Sequence, residues 1–297
     1  MVVWHRACYR KNANVLIKVG RSIGGVWALK KRYIFLIGVL LLSMACSLQA
    51  ATTSINQSVP SDATLDYGSS WSSLSAGVEY RTFPVQPSDG LAFDMHVVRL
   101  DPAQVQFRVH YRPDDPLTST RWRAELDDPL VVVNANFFRE DNQAIGLVIA
   151  DGVPFSASLV GFGGMFQVDT VGNAWVRSLV NEPYQGESFY QAIQSFPMMI
   201  ESGGIAAATG EGFDVESRRT VIAQDRSGKI LLMTTGTFGE VNCYDLQYGL
   251  LNSGLDLDIA VALDGGKSTS MFIANGRDSV DIPAFSLLPT ILAAYER

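Results

Sequence analysis

Apolar and polar positions alternate along much of the chain, with a period of two broken by a few helical stretches. LAFDMHVVRL (91–100) sets Phe93, Met95 and Val97 against Asp94 and His96, the pattern of a strand with one buried face. VQFRVHYR (105–112) follows after Asp101-Pro102, so the two runs are expected to pair as a hairpin. LTSTRWRAELDD (117–128) predicts a helix that stops before Pro129, and LVVVNANFF (130–138) is a continuous apolar run, as in a strand buried on both faces. RRTVIAQDRSGKILLMTT (218–235) is a hairpin turning around Ser227-Gly228. NCYDLQYGLLNSG (242–254) has helical spacing at Cys243, Leu246 and Leu250 and ends at Gly254. DIAVALD (258–264) is a further buried strand, and TSMFIANGRD (269–278) a strand entering a turn at Asn275-Gly276. No internal repeat and no regular strand–helix alternation is present. The pattern predicts a mixed α+β fold: one strand-rich domain over 78–297, with a few helices packed on its sheets.

Residues 1–50 break this pattern. They hold eight Lys or Arg and no Asp or Glu, with Lys30-Lys31-Arg32 preceding the apolar run Tyr33–Leu42 and then small residues. That is the layout of an export signal, and the run is short for a membrane span, which needs about 20 apolar residues. The stretch before Lys30 exceeds what a basic leader region requires, so a start downstream of Met1 is expected. Two processing outcomes stand side by side: a lipoprotein box at Ser43-Met44-Ala45-Cys46 with lipid on Cys46, or ordinary cleavage after Leu48-Gln49-Ala50. An exported protein, periplasmic or at the cell surface, is the expectation. Residues 51–77, rich in Ser and Thr, are expected to form a flexible linker.

Eight of the 23 basic residues lie in that leader, so the remainder carries 15 basic against 30 acidic residues. A net charge near −15 disfavours nucleic acid and anionic membrane surfaces, leaving a membrane link only through lipid on Cys46. Beyond Cys46 the chain has only Cys243, and its histidines there are His96 and His110, so neither a disulfide framework nor a zinc-spaced cluster is present. No metal ligands and no cofactor are indicated. Asp127-Asp128 and Asp256-x-Asp258 could coordinate calcium but fit solvated acidic faces equally.

Gly-Gly-Lys-Ser-Thr at 265–269 matches the tail of a nucleotide phosphate loop. The full pattern needs a glycine where Val261 stands and a helix after the Ser, but a β-rich run follows. Nucleotide hydrolysis is therefore disfavoured. A serine-hydrolase elbow is absent too.

Four stretches set polar residues at the ends of apolar runs. Asn134 and Asn136 close one strand, as sugar-binding amides or as turn formers. QSFPMMIESGG (194–204) is broken by Pro197 and turns at Ser202-Gly203-Gly204, with Glu201 at its edge. In SRRT (217–220) the adjacent arginines point to opposite faces, and an inward one needs an anion, either a ligand or a structural carboxylate. Asp264 ends a strand before Gly265-Gly266, whose amides form an anion-binding nest or a plain turn.

The order NANFF, IADG (149–152), QSFPMMI, RRTVIAQDRSGKILLMTT, CYDL and AVALDGGKSTSM resembles the phosphodiester glycosidase family from about residue 130 to the C-terminus. The resemblance implies hydrolysis of a glycosyl phosphodiester of the N-acetylglucosamine-phosphate type, or binding of an envelope glycan without turnover as the alternative. It implies Asp264, Arg219 and Asn134 as catalytic residues, and Thr220, Gly265, Gly266, Lys267, Ser268, Asp151 and Gln194 as substrate contacts. Lys267 and Asn136 depart from the family pattern, at positions where a small residue and a glycine are usual.

Overall fold

The computed structural model describes residues 70–274 and 280–297. The leader, Cys46, both cleavage positions, linker residues 51–69 and the Asn275-Gly276 turn lie outside the described residues. Within them the chain is strand-rich, with several sheets and two α-helices, Ser119–Glu125 and Cys243–Leu251. Each helix is capped as its sequence dictates: Thr118 Oγ1 accepts from Arg121 N at 3.2 Å, and Asn242 Oδ1 from Asp245 N at 2.9 Å. Such caps contribute on the order of 1 kcal/mol each. No helix among the described residues is long and apolar enough to cross a membrane.

Three sheets, antiparallel in their pairings, enclose a shared core. The largest has eight strands, and at its middle Ile230–Thr235, Thr220–Asp225, Leu257–Ala262 and Met198–Glu201 lie side by side. A five-stranded sheet orders Val280–Ile282, Met271–Ile273, Val131–Asn134, Thr290–Glu296 and Val105–Tyr111. A second five-stranded sheet orders Val153–Pro154, Val148–Ala150, Gln191–Ser195, Gly164–Val168 and Ala174–Ser178.

The alternation of strand side chains sorts residues between two cores. Ile222, Ile230 and Leu232 enter the core shared by the three sheets, whereas Val221, Ala223, Leu231 and Met233 pack on the other face, against Cys243, Leu246 and Leu250 of the second helix. A strand buried on both faces is therefore apolar at nearly every position, which explains the uninterrupted runs.

Two sequence expectations are corrected. Phe93–Leu100 and Val105–Tyr111 do not pair as a hairpin. Both edges of Phe93–Leu100 are occupied, by Val78–Val85 and Ile230–Thr235, and the turn at Asp101–Gln104 carries the chain to Thr290–Glu296 in another sheet. The linker also ends earlier than residue 77. Ser72–Ser75 already pairs with Val78–Val85, and Trp71 lies beneath the guanidiniums of Arg81 and Arg99, at 4.8 and 4.1 Å. An aromatic ring with two cations to stack on provides a packing partner that Ser/Thr-rich composition does not suggest.

Candidate functional site

Strand register gathers distant residues at one end of two sheets. Val221 stands opposite Ala262, so the start of Thr220–Asp225 lies beside the end of Leu257–Ala262, just before Asp264. In the neighbouring sheet Asn134 stands opposite Ile291, and Val133 opposite Met271. Two bonds cross between these strand ends: Leu263 N donates to Thr220 O at 2.8 Å, and Asp264 N to Ala135 O at 2.9 Å.

Asn134 ties the ends together. Its side chain is 1% exposed; Nδ2 donates to Asp264 O at 2.6 Å, while Oδ1 accepts from Thr220 Oγ1 at 2.8 Å and Ser270 N at 2.9 Å. A carboxamide has two N–H donors, and the described bonds use one. Asp264 is half-buried, and its Oδ1 accepts from Gly265 N at 2.9 Å. Asn134, Thr220 and Asp264, from three segments, thus form one hydrogen-bonded group.

The glycines act through space and backbone shape. A Cβ on Gly265 would stand 2.7 Å from Arg218 O, and Gly266 has φ +61°. Gly265 N is bonded to Asp264, and Gly266 N donates to Arg218 O at 2.8 Å. Both amides are therefore engaged within the protein rather than forming an open anion nest. The chain then makes a single 3₁₀ turn, Gly266–Ser268. Lys267 is exposed, and its carbonyl accepts from Phe285 N at 2.6 Å; the buried Ser268 hydroxyl meets that of Ser286 at 3.2 Å.

The two arginines, which lie just before the strand Thr220–Asp225, diverge. Arg219 donates through Nε to Val241 O at 2.9 Å and through its terminal nitrogen to Val215 O, on the side of the second helix. Arg218 is 4% exposed and points the other way, donating to Pro283 O at 3.2 Å.

Asp151 and Gln194 make their bonds elsewhere. Asp151 accepts from Gln191 Nε2 at 2.9 Å and Arg108 at 3.2 Å; burial opposes its ionisation, but these bonds outweigh burial and hold its pKa below the usual carboxylate value. Gln194 is fully buried and clamps a loop. Its Oε1 accepts from Leu147 N, Ser158 Oγ and Leu159 N, and its Nε2 donates to Leu159 O and Phe162 O, each at 2.8 to 3.1 Å. That loop brings Phe162 to 5.0 Å from Phe196, which stacks on Phe137 at 4.6 Å, an aromatic wall three residues beyond Asn134. Sequence reading passed over Ser270, Ser286 and this wall, and named Arg218 only as one of two adjacent arginines. The signal for Arg218 is the arginine pair itself, of which an inward member needs an anion.

A separate cleft of about 440 Å³ is lined by Arg108, His110, Arg112, Trp122, Glu125 and Tyr295, among others, and by none of the Asn134 group. Its cations are spoken for, Arg108 by Asp151 and Arg112 by Asp115 and Glu125. Among the described residues no group of three or more His, Cys, Asp or Glu is placed to hold a metal ion.

Known proteins share this fold. The catalytic domain of zebrafish N-acetylglucosamine-1-phosphodiester alpha-N-acetylglucosaminidase, solved in a form auto-inhibited by its pro-peptide, superposes with a TM-score of 0.58 at 19% identity, over 76% of this chain and 86% of that one. A hypothetical protein from Synechocystis superposes with a TM-score of 0.55 at 16% identity, over 75% of this chain and 63% of that one. At these identities the likeness is one of fold. No curated protein sequence matches. The phosphodiester glycosidase family model matches residues 127–291, more than half of the chain and the whole span that carries Asn134, Thr220 and Asp264. On that match the chain belongs to the phosphodiester glycosidase family, whose membership supports a hydrolase-type function in general.

Proposed function

We propose that this protein is an exported glycosidase that hydrolyses the sugar–phosphate bond of a glycosyl phosphodiester of the N-acetylglucosamine-phosphate type. The observation that carries the reading is the bonded group Asn134–Thr220–Asp264, which sets one carboxylate at a strand end beside a turn kept free of side chains by two glycines.

The reaction breaks the bond between the anomeric carbon and the phosphate oxygen. The bonding electrons leave with the oxygen, giving a phosphomonoester, and water supplies the hydroxyl that completes the free sugar. Phosphate leaves readily, so the demand for a strong general acid is low. Two needs remain: a cation where charge grows on the leaving phosphate, and a carboxylate near the oxocarbenium-like carbon, as nucleophile or as base for water. Asp264 is assigned the second role, and one arginine of the 218–219 pair the first. The second N–H of Asn134, together with Ser268 and Lys267, is assigned to substrate oxygens, and Phe137 and Phe162 to the apolar face of the sugar. Gly265 and Gly266 shape the floor of the site, while Asp151 and Gln194 hold neighbouring loops.

Asp264→Asn tests the assignment, because it keeps shape and hydrogen bonding but removes the charge. Turnover of a sugar-1-phosphodiester is expected to fall at least about 10²-fold with the fold retained, since one such electrostatic contact is commonly worth that much. Turnover unchanged in the variant would remove Asp264 from the chemistry. A wild-type protein that binds the diester without cleaving it would make this a glycan-binding relative instead.

A further inference from the structure

A buried guanidinium needs partners for five N–H groups, and removing its charge from water is costly unless an anion meets it. Arg218 is 4% exposed, yet its Nε and one terminal nitrogen have no hydrogen-bond partner, and the other terminal nitrogen reaches only Pro283 O. Among the described residues no carboxylate forms an ion pair with it. Burial lowers its pKa from the ordinary arginine value, and Glu240 opposes that shift only through its field.

Its position gives this unmet capacity a direction. Arg218 lies two residues before the strand that begins at Thr220, whose hydroxyl donates to Asn134. Its carbonyl accepts from Gly266 N, and its guanidinium lies over the Phe285 ring at 4.7 Å from the centroid. Stacking on a ring fixes the plane of the guanidinium and leaves its edge to donate. Phe285 is itself bonded to the Lys267 carbonyl, and Ser286 follows with its hydroxyl against that of Ser268. A planar cation with unpartnered donors is thus tied, through Phe285 and the Gly266 amide, to the turn Gly266–Ser268 that carries Lys267 and Ser268. Arg219 has given two of its nitrogens to Val215 and Val241.

We propose that Arg218, rather than Arg219, is the cation that binds the phosphate of the substrate, and that Arg219 instead positions the 215–219 segment by clamping it to Val241. The assignment rests on the glycosidase reading for its place in catalysis, but phosphate binding can be tested without turnover.

The experiment pairs thermal melts of the whole protein, with and without inorganic phosphate, with steady-state kinetics on a sugar-1-phosphodiester. Wild type is expected to gain Tm in phosphate. Arg218→Gln is expected to lose that gain and to lower kcat/KM about 10²-fold or more, as loss of a charge-stabilising contact does. Arg218→Lys, which keeps the charge without the fork, covers the case in which the glutamine variant does not fold, and should lose most of the gain. Arg219→Gln is expected to melt lower than wild type yet keep its phosphate-dependent gain. The proposal is overturned if either Arg218 variant responds to phosphate like wild type, if Arg219→Gln alone loses the response, or if wild type shows none. Absence of turnover in a wild type that does respond to phosphate would refute the glycosidase reading and leave the Arg218 assignment standing.

Discussion

Gly265→Ala is the sharpest perturbation of the turn that carries Asp264. The backbone of Gly265, with φ −122° and ψ −162°, lies in a region any residue adopts, so added methyl volume is the only effect of the change. That methyl would stand 2.7 Å from Arg218 O, a main-chain atom held by Gly266 N at 2.8 Å, so no side-chain rotation relieves the contact. Overpacking of this kind costs about 1–3 kcal/mol. For a domain of this size that corresponds to a fall in Tm of roughly 2–12 °C. The relief also moves the turn and with it the carboxylate of Asp264, whose backbone carbonyl Asn134 holds. A displacement of about 1 Å in a reacting group can cost about 10²-fold in rate, so activity is expected to fall more than stability alone explains. Gly266→Ala serves as the comparison. Its strain comes from φ +61°, about 1–2 kcal/mol for an L-residue, while its methyl would meet the rotatable Ser217 Oγ at 3.1 Å. Gly266→Asn, which tolerates that φ, should recover part of the loss, and no single substitution at Gly265 should. Differential scanning calorimetry with diester turnover on the three variants is the assay. A Gly265→Ala protein with wild-type Tm and wild-type turnover would refute the close packing described for this turn.

Gln194→Leu leaves several buried backbone groups of the 147–162 region without a partner, and is expected to destabilise by about 2–4 kcal/mol; limited proteolysis should then cut first within 156–162. His96 and His110 are both held below the ordinary histidine pKa of 6.5 by burial, so the unfolded chain binds more protons than the folded one. Their contribution is complete above pH 6.5 and is lost as pH falls through that value toward the folded pKa; melts from pH 8 to 5 should show declining Tm, with a shallower decline in a His96→Gln, His110→Gln double variant. Glu187 acts in the same direction at lower pH: burial alone would raise its pKa, but the Arg177 and backbone bonds bring it from 4.5 to about 2, so stability is lost as pH falls through that range. Intact-mass analysis of protein from the native host should find a chain beginning at lipidated Cys46 or just after Ala50, and full-length cytoplasmic protein would refute export.

Much of the fold is legible because burial on one face writes a period of two and burial on both faces writes an apolar run. Val131–Asn134, the 220–235 hairpin and Leu257–Ala262 are of this kind. Sheet membership is not legible, because Val105–Tyr111 finds its partner at Thr290–Glu296, and no local pattern encodes a pairing across that separation. The second five-stranded sheet is obscured further by fully buried Gln167, Gln191 and Gln194, polar positions that break the apolar signal. In the site, strand-end polar residues mark Asn134, Thr220 and Asp264. The bonds that engage the Gly266 amide and Arg219 come instead from backbone carbonyls of Arg218, Val215 and Val241, which every residue possesses and no sequence advertises. Adjacent arginines on a strand announce opposite faces. Which of them turns inward is shown only by their contacts, Pro283 and Phe285 for Arg218 against Val215 and Val241 for Arg219.

The most direct measurement of the central claim is product analysis with purified wild-type protein and an N-acetylglucosamine-1-phosphodiester, across pH 4 to 8 and with calcium added or removed. The account predicts free sugar and phosphomonoester released in equal amounts, and no inorganic phosphate or sugar phosphate. Diester that is bound but returned intact under every condition, or cleavage on the other side of the phosphorus to give a sugar phosphate, would contradict it.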